Sequence, residues 1–179
     1  SEVPENSIEH ERIAFFKTAL VPFFEESKSF HEGTGKRTLD VLKVGTMPKI
    51  DGKLDEEEWS RAPAVEFVTC DKNSPEPREP TSVEGLWIPD KGLILGFRLS
   101  ESDIAGVKSN CTRHDEAVYM DDCVEIFLDP EGEQKSFYQI ITNSNNAIFD
   151  KQYYDLGKSW NSKGVVSRSY MGKDFWSIE

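Results

Sequence analysis

Hydrophobic positions follow two different rhythms along this chain. Over residues 7–30 they recur every three or four residues: Ile13, Phe16, Leu20 and Phe24, with Phe15 and Phe23 widening the stripe. That spacing predicts an α-helix. Ser7 suits its N-cap, Glu9, His10 and Glu11 fill the first turns, and Pro22 should kink or end it locally. A helix so rich in phenylalanine needs a cover, and the tail of a preceding helical domain is the expected origin. Gly33-Thr34-Gly35-Lys36-Arg37 reads as the linker, so residues 1–38 form a helical leader and linker.

From residue 39 the rhythm changes to alternation. Leu39, Val41 and Val44 lead into Met47-Pro48-Lys49-Ile50-Asp51-Gly52-Lys53, whose Asp-Gly is a turn signal. Asp55 to Trp59 predicts one helical turn that buries Trp59, and a strand is expected over Val65 to Thr69. The proline-rich stretch Asp71 to Pro80 is a loop. Strands Ser82–Ile88 and Leu93–Leu99 are joined by the turn Pro89-Asp90-Lys91-Gly92. Asp103 to Val118 is long and irregular. Further strands are expected over 123–128, 137–143, 148–153, 164–169 and 175–178. Short strands at regular spacing with turns between them predict a mainly β chain folded as an antiparallel β-sandwich over residues 39–179. Trp176-Ser177-Ile178-Glu179 reads as the start of a strand, so the sandwich is expected to be truncated at its C-terminal end.

The most informative stretch is Tyr119-Met120-Asp121-Asp122-Cys123-Val124-Glu125-Ile126-Phe127-Leu128-Asp129-Pro130. Val124, Ile126 and Leu128 share one face of the strand; Cys123, Glu125 and Phe127 share the other. A carboxylate in mid-strand between apolar residues needs polar partners. Gln139 and Asn143 share one parity on the next strand and can supply them, with Glu125 expected opposite Gln139. Polar side chains beside the aromatic Tyr119 suit a neutral polyol such as a sugar. Trp160, in the polar loop Lys158-Ser159-Trp160-Asn161-Ser162, is a second candidate platform.

Composition narrows the partners. A net charge of −12 opposes nucleic acid and anionic lipid as main ligands. No apolar run approaches the roughly 18 residues of a membrane helix, and no basic-then-apolar signal opens the chain. Cys70, Cys111 and Cys123 allow one internal disulfide at most, none lies in a CxxC pair, and free thiols are expected. There is no Ser-His-Asp pattern, phosphate loop or dinucleotide fingerprint.

The order Ile50-Asp51-Gly52, Glu58-Trp59, Ala62, then Val83-Glu84-Gly85-Leu86-Trp87, then Asp122-Cys123-Val124-Glu125-Ile126-Phe127-Leu128-Asp129 resembles the family 9 carbohydrate-binding modules and their DOMON-like relatives, over about residues 47–179. The resemblance implies a non-catalytic, sugar-binding β-sandwich that serves as an accessory module of a larger secreted or cell-envelope glycoside hydrolase, often with structural calcium. Its platform tryptophan corresponds to Tyr119, its strand glutamate to Glu125, and an arginine of the following strand to Gln139. Trp59, Trp87 and Trp176 sit at motif positions that read as core anchors. The carbohydrate site expected is therefore Tyr119, Glu125, Gln139, Asn143 and Trp160. Acidic loops supply calcium-type oxygens readily, and Asp121, Asp122 and Asp129 are the candidate ligands, with Asp103 and Asp115 behind them. Two alternatives remain open. One is a structural domain of a glycosidase that binds no sugar. The other is a haem-binding redox DOMON domain using Met120, Met171 or His114 as axial ligands.

Overall fold

Alternating apolar residues build two stacked sheets. The computed structural model describes residues 37–69, 76–130, 132, 136–153 and 160–179. The helix expected over residues 7–30, and Cys70, lie outside the described residues. Leu39–Phe67 and Pro77–Glu179 form the unit that carries the sheets.

The larger sheet is organised by a hairpin of β3 (Thr81–Ile88) and β4 (Gly92–Ser100), paired from Thr81 opposite Leu99 to Ile88 opposite Gly92. Its turn puts Asp90 at φ 63° and Gly92 at φ 133°, conformations that Asp tolerates and Gly adopts freely. The short strands β1 (Leu42–Lys43) and β2 (Val65–Glu66) line one edge of β3. On the other side β9 (Phe175–Ile178) pairs with β4, and β8 (Ser169–Met171) with β9. The β1–β3 pairing is parallel, so the sheet is mixed and not wholly antiparallel. The strand expected over residues 164–169 is displaced to Ser169–Met171, the residues that face β9. The smaller sheet is a meander of β5 (Cys123–Leu128), β6 (Tyr138–Asn143) and β7 (Ile148–Gln152).

Three apolar clusters hold the layers together. Val83, Phe97, Trp176 and Ile178 of the larger sheet meet Val124 of the smaller one, with Ile126 alongside, and form the inter-sheet core. On the outer face of the larger sheet, Leu86 and Ile88 pack with Val44, Ala62 and Trp59, which is 2% exposed on the short helix α1 (Glu57–Arg61). Gly96 is required there, because a Cβ would lie 2.9 Å from the Trp59 ring and 2.7 Å from Leu54 Cδ2. The Glu179 carboxylate locks this layer by accepting from the Asp51 and Gly52 amides at 2.8 and 2.6 Å and from the Trp59 indole at 3.1 Å. The sequence motifs around Ile50-Asp51-Gly52, Trp59 and Trp176 to Glu179 thus meet in one structural knot. Trp87 departs from its expected core role. It is 46% exposed, near the end of β3, where the burial of a strand position depends on how far the facing sheet reaches. In the third cluster Val118, Ile141, Ala147 and Phe149 pack with Cys111, Tyr119 and Cys123. No helix among the described residues is long and apolar enough to cross a membrane.

Candidate functional site

The register of β5 against β6 decides what the smaller sheet presents. Glu125 lies opposite Ile141, and Gln139 opposite Phe127, so the expected Glu125–Gln139 pairing is shifted by one diagonal step. Both side chains remain on one face, because opposed and alternate residues share a side. The Gln139 amide donates to Glu125 Oε1 across that diagonal. Gln139 is 3% exposed and its carbonyl oxygen accepts from the Tyr153 hydroxyl at 2.5 Å, so its orientation is held from both ends. Glu125 itself reaches solvent. Partial burial of its carboxyl raises its pKa above the ordinary value, and the Gln139 amide pulls it part of the way back.

Aromatic rings flank this polar pair. Phe137 and Tyr153 stack with ring centroids 4.8 Å apart at 24°, and Phe127 meets Phe137 edge-on at 5.6 Å. The Lys151 ammonium sits 5.5 Å from the Tyr153 ring centre. Phe127, Phe137, Lys151 and Tyr153 were not singled out in the sequence, although their odd numbers in or directly beside three adjacent strands carried the signal. Together with Glu125 and Gln139 they form a half-exposed strip of three rings, an acid, an amide and an amine.

The other expected residues fall elsewhere. Tyr119 packs edge-on against Phe149 at 6.1 Å, within the third apolar cluster. Asn143 is fully buried and fully used: its amide donates to Cys111 O and Asp121 Oδ2, both at 2.9 Å, while its Oδ1 accepts from the Asn145 and Ala147 amides, both at 3.0 Å. With two donors and two lone pairs committed, it has no capacity left for a ligand. Trp160 packs on Tyr138 at 4.8 Å. Tyr138 neighbours Gln139 on β6 and so projects to the opposite face, which separates Trp160 from Glu125.

The three aspartates named for calcium are not brought together. Asp121 and Asp122 precede β5 and Asp129 follows it, which puts them about 20 Å apart at strand rise. Asp121 is saturated by protein donors: Asn110 N, Cys111 N and Asn143 Nδ2 on Oδ2, and Asn110 Nδ2 on Oδ1. Burial pushes its carboxyl upward, yet these donors overcome that and hold it below the usual range. Asp122 accepts from Lys108 N, and Asp129 from Gly132 N. Of the residues considered for haem, Met171 lies on the larger sheet, Met120 lies on the turn before β5, and His114 sits between two carboxylates. Cys111 and Cys123 are free thiols, and burial, with Glu125, Asp121 and Asp122 nearby, pushes Cys123 up to about 12.

No family model and no curated protein matches the chain. Among solved structures it is similar to the crystal structure of a "putative carbohydrate-binding protein" from Bacteroides uniformis, at 15% identity and a TM-score of 0.54, over 77% of this chain and 68% of that one. At that identity the likeness is one of fold.

Proposed function

We propose that the chain binds carbohydrate, without catalysis, on the exposed half of the smaller sheet. The observation that carries this reading is the Glu125–Gln139–Tyr153 relay, a buried amide held between a solvent-reaching carboxylate and a phenol beside stacked rings. Sugar rings offer an apolar face to aromatic groups and hydroxyls to a fixed acceptor and donor. Glu125 accepts from hydroxyls, Lys151 donates, and Phe127, Phe137 and Tyr153 supply the apolar contact. Tyr119 packs on Phe149 in the third apolar cluster instead of forming the floor of this strip. The carbohydrate-binding name of the fold neighbour supports the same ligand class. The resemblance to family 9 modules and DOMON-like domains supports a place as an accessory module of a larger, exported glycoside-hydrolase-type protein.

Titration calorimetry against a panel of mono- and oligosaccharides tests the reading. Glu125→Gln keeps the shape and removes charge-assisted acceptance, so affinity should fall by about 1.5–3 kcal/mol. Tyr153→Phe frees Gln139 and should weaken binding less. No binding by the wild type at millimolar sugar would leave the structural-domain reading in place. Binding that survives Glu125→Gln but is lost in Trp160→Ala would move the site to the opposite face.

A further inference from the structure

Asp150 is a buried carboxylate with half of its chemistry unused. It lies in β7, opposite Ile140, so its side chain projects to the face away from Glu125. That side chain is 0% exposed. Its Oδ2 accepts from Ser162 Oγ at 2.5 Å and Ser162 N at 3.2 Å, and lies 3.3 Å from His114 Nε2. Its Oδ1 is buried and takes no hydrogen bond. A carboxylate withdrawn from water needs charge compensation, and its ionisable partner among the described residues is His114.

His114 is itself placed between two carboxylates, with Nδ1 3.3 Å from Asp115 Oδ2 and Nε2 3.3 Å from Asp150 Oδ2. A neutral imidazole has one N–H and can donate to only one of them; the other then faces a lone pair. Both separations exceed the roughly 2.7–2.9 Å of charge-assisted hydrogen bonds. The separation between His114 Nε2 and Asp150 Oδ2 does match two ligands of one ion: at bonds of about 2.1 Å, atoms 3.3 Å apart subtend about 104°, close to tetrahedral, and Nδ1 then stays outside the coordination. One ligand atom from each of His114, Asp115 and Asp150 lies within 4.8 Å of the others.

The surrounding backbone holds the trio in place. Asp115 has φ 63°, and its amide donates to Ile148 O at 2.9 Å, which fastens the turn to the start of β7. Glu116 accepts from the Thr112 and Arg113 amides at 2.8 and 2.9 Å and closes the turn from the other side.

We propose that His114, Asp115 and Asp150 form a binding site for a divalent first-row transition-metal ion. One imidazole and two carboxylates suit zinc, cobalt or manganese, whereas calcium takes oxygen ligands throughout. Asp150 is the fixed, buried ligand. His114 and Asp115, 43% and 44% exposed, close over the ion by side-chain rotation and leave its outer positions to water. The ion ties together the 112–116 turn, β7 and Ser162, and it is distinct from the aspartates at the ends of β5.

Zinc and cobalt titrations of the chelator-stripped full chain, followed by calorimetry and thermal shift, test the site. One equivalent should bind and raise the Tm, since an ion taken up by the folded state alone stabilises it by mass action. His114→Ala and Asp115→Asn, at exposed positions, should fold as wild type and lose at least tenfold in affinity. Asp150→Asn should abolish binding; because it also disturbs the Ser162 bonds, the two exposed variants decide the question. Millimolar calcium should not displace cobalt. The proposal is overturned if millimolar zinc neither binds nor shifts the Tm. It also fails if His114→Ala binds as tightly as wild type, or if calcium competes on equal terms.

Discussion

Replacing Asn143 separates a structural polar network from a ligand site. Asn143→Ala removes the charge-assisted bond to Asp121, strands the buried Ala147 amide and leaves the Cys111 carbonyl with only the long 3.4 Å bond from Asn145 Nδ2. The first loss costs about 1.5–3 kcal/mol and each of the other two adds about 1 kcal/mol or more, so the total is about 3–5 kcal/mol. At about 3 °C per kcal/mol for a chain of this size, the Tm should fall by about 10–15 °C. Urea titration read by fluorescence of the buried Trp59 and Trp176 measures it directly. A loss below about 1 kcal/mol would refute the network as the reason for the burial of Asn143.

Asn143→Asp adds a pH signature. It turns the donor facing Asp121 Oδ2 at 2.9 Å into a second carboxylate. In the wild type the Asp121 pKa is depressed in the folded state, so its stabilisation is present above the unfolded value and lost as pH falls through the folded one. In the variant two carboxylates share one site, and an apparent pKa of the pair rises above its unfolded value. The folded variant then binds more protons than the unfolded chain, so its stability should increase as pH drops from 7 towards about 4.5. If the stability difference between variant and wild type is flat over that range, the two carboxylates do not meet.

Gly96→Ala presses a methyl group against Trp59 and Leu54, and should cost about 1–3 kcal/mol and shift Trp59 emission; unchanged stability would mean that α1 packs elsewhere. Gly52→Ala meets backbone, with Ser169 Cα 2.7 Å from the added Cβ at φ +84°, so soluble expression should fall sharply while the milder Gly96 variant survives. Cys123, with its thiol pushed up to about 12, should resist iodoacetamide at pH 8 in the folded chain and react once urea unfolds it, as read by mass spectrometry; equal rates in both states would contradict its burial.

Local pattern carried the strands well because a residue's neighbours determine alternation. The hairpin of β3 and β4 and the faces of β5 follow from period-2 spacing and the Pro89–Gly92 turn alone. The shared face of Glu125 and Gln139 was legible for the same reason, while the exact register depended on a turn whose length the spacing does not specify. What could not be read is non-local. Trp87 looks like a core residue in its strand, yet the facing sheet, distant in sequence, sets its exposure. Asn143 has the parity of a ligand residue, but Cys111, Asp121, Asn145 and Ala147 exhaust its hydrogen bonds, the first two from distant segments. His114 and Asp150 are 36 residues apart, with no motif spacing to connect them.

The smaller sheet divides its chemistry by alternation. On β6, Tyr138 and Gln139 project to opposite sides; on β7, Asp150 and Lys151 do the same. One side gathers Glu125, Gln139, Lys151 and the stacked rings, and the other gathers Asp150, His114, Ser162 and the Tyr138–Trp160 pair. A carbohydrate on the first side and an ion on the second would never touch, and would be coupled only through the strands between them. Ser162 bonds to Asp150, however, and lies two residues from Trp160. Stripping an ion from Asp150 would therefore disturb a sugar site built on Trp160 and leave one built on Glu125 unaffected. The response of sugar affinity to chelation reports which face is the binding face, independently of any substitution in either.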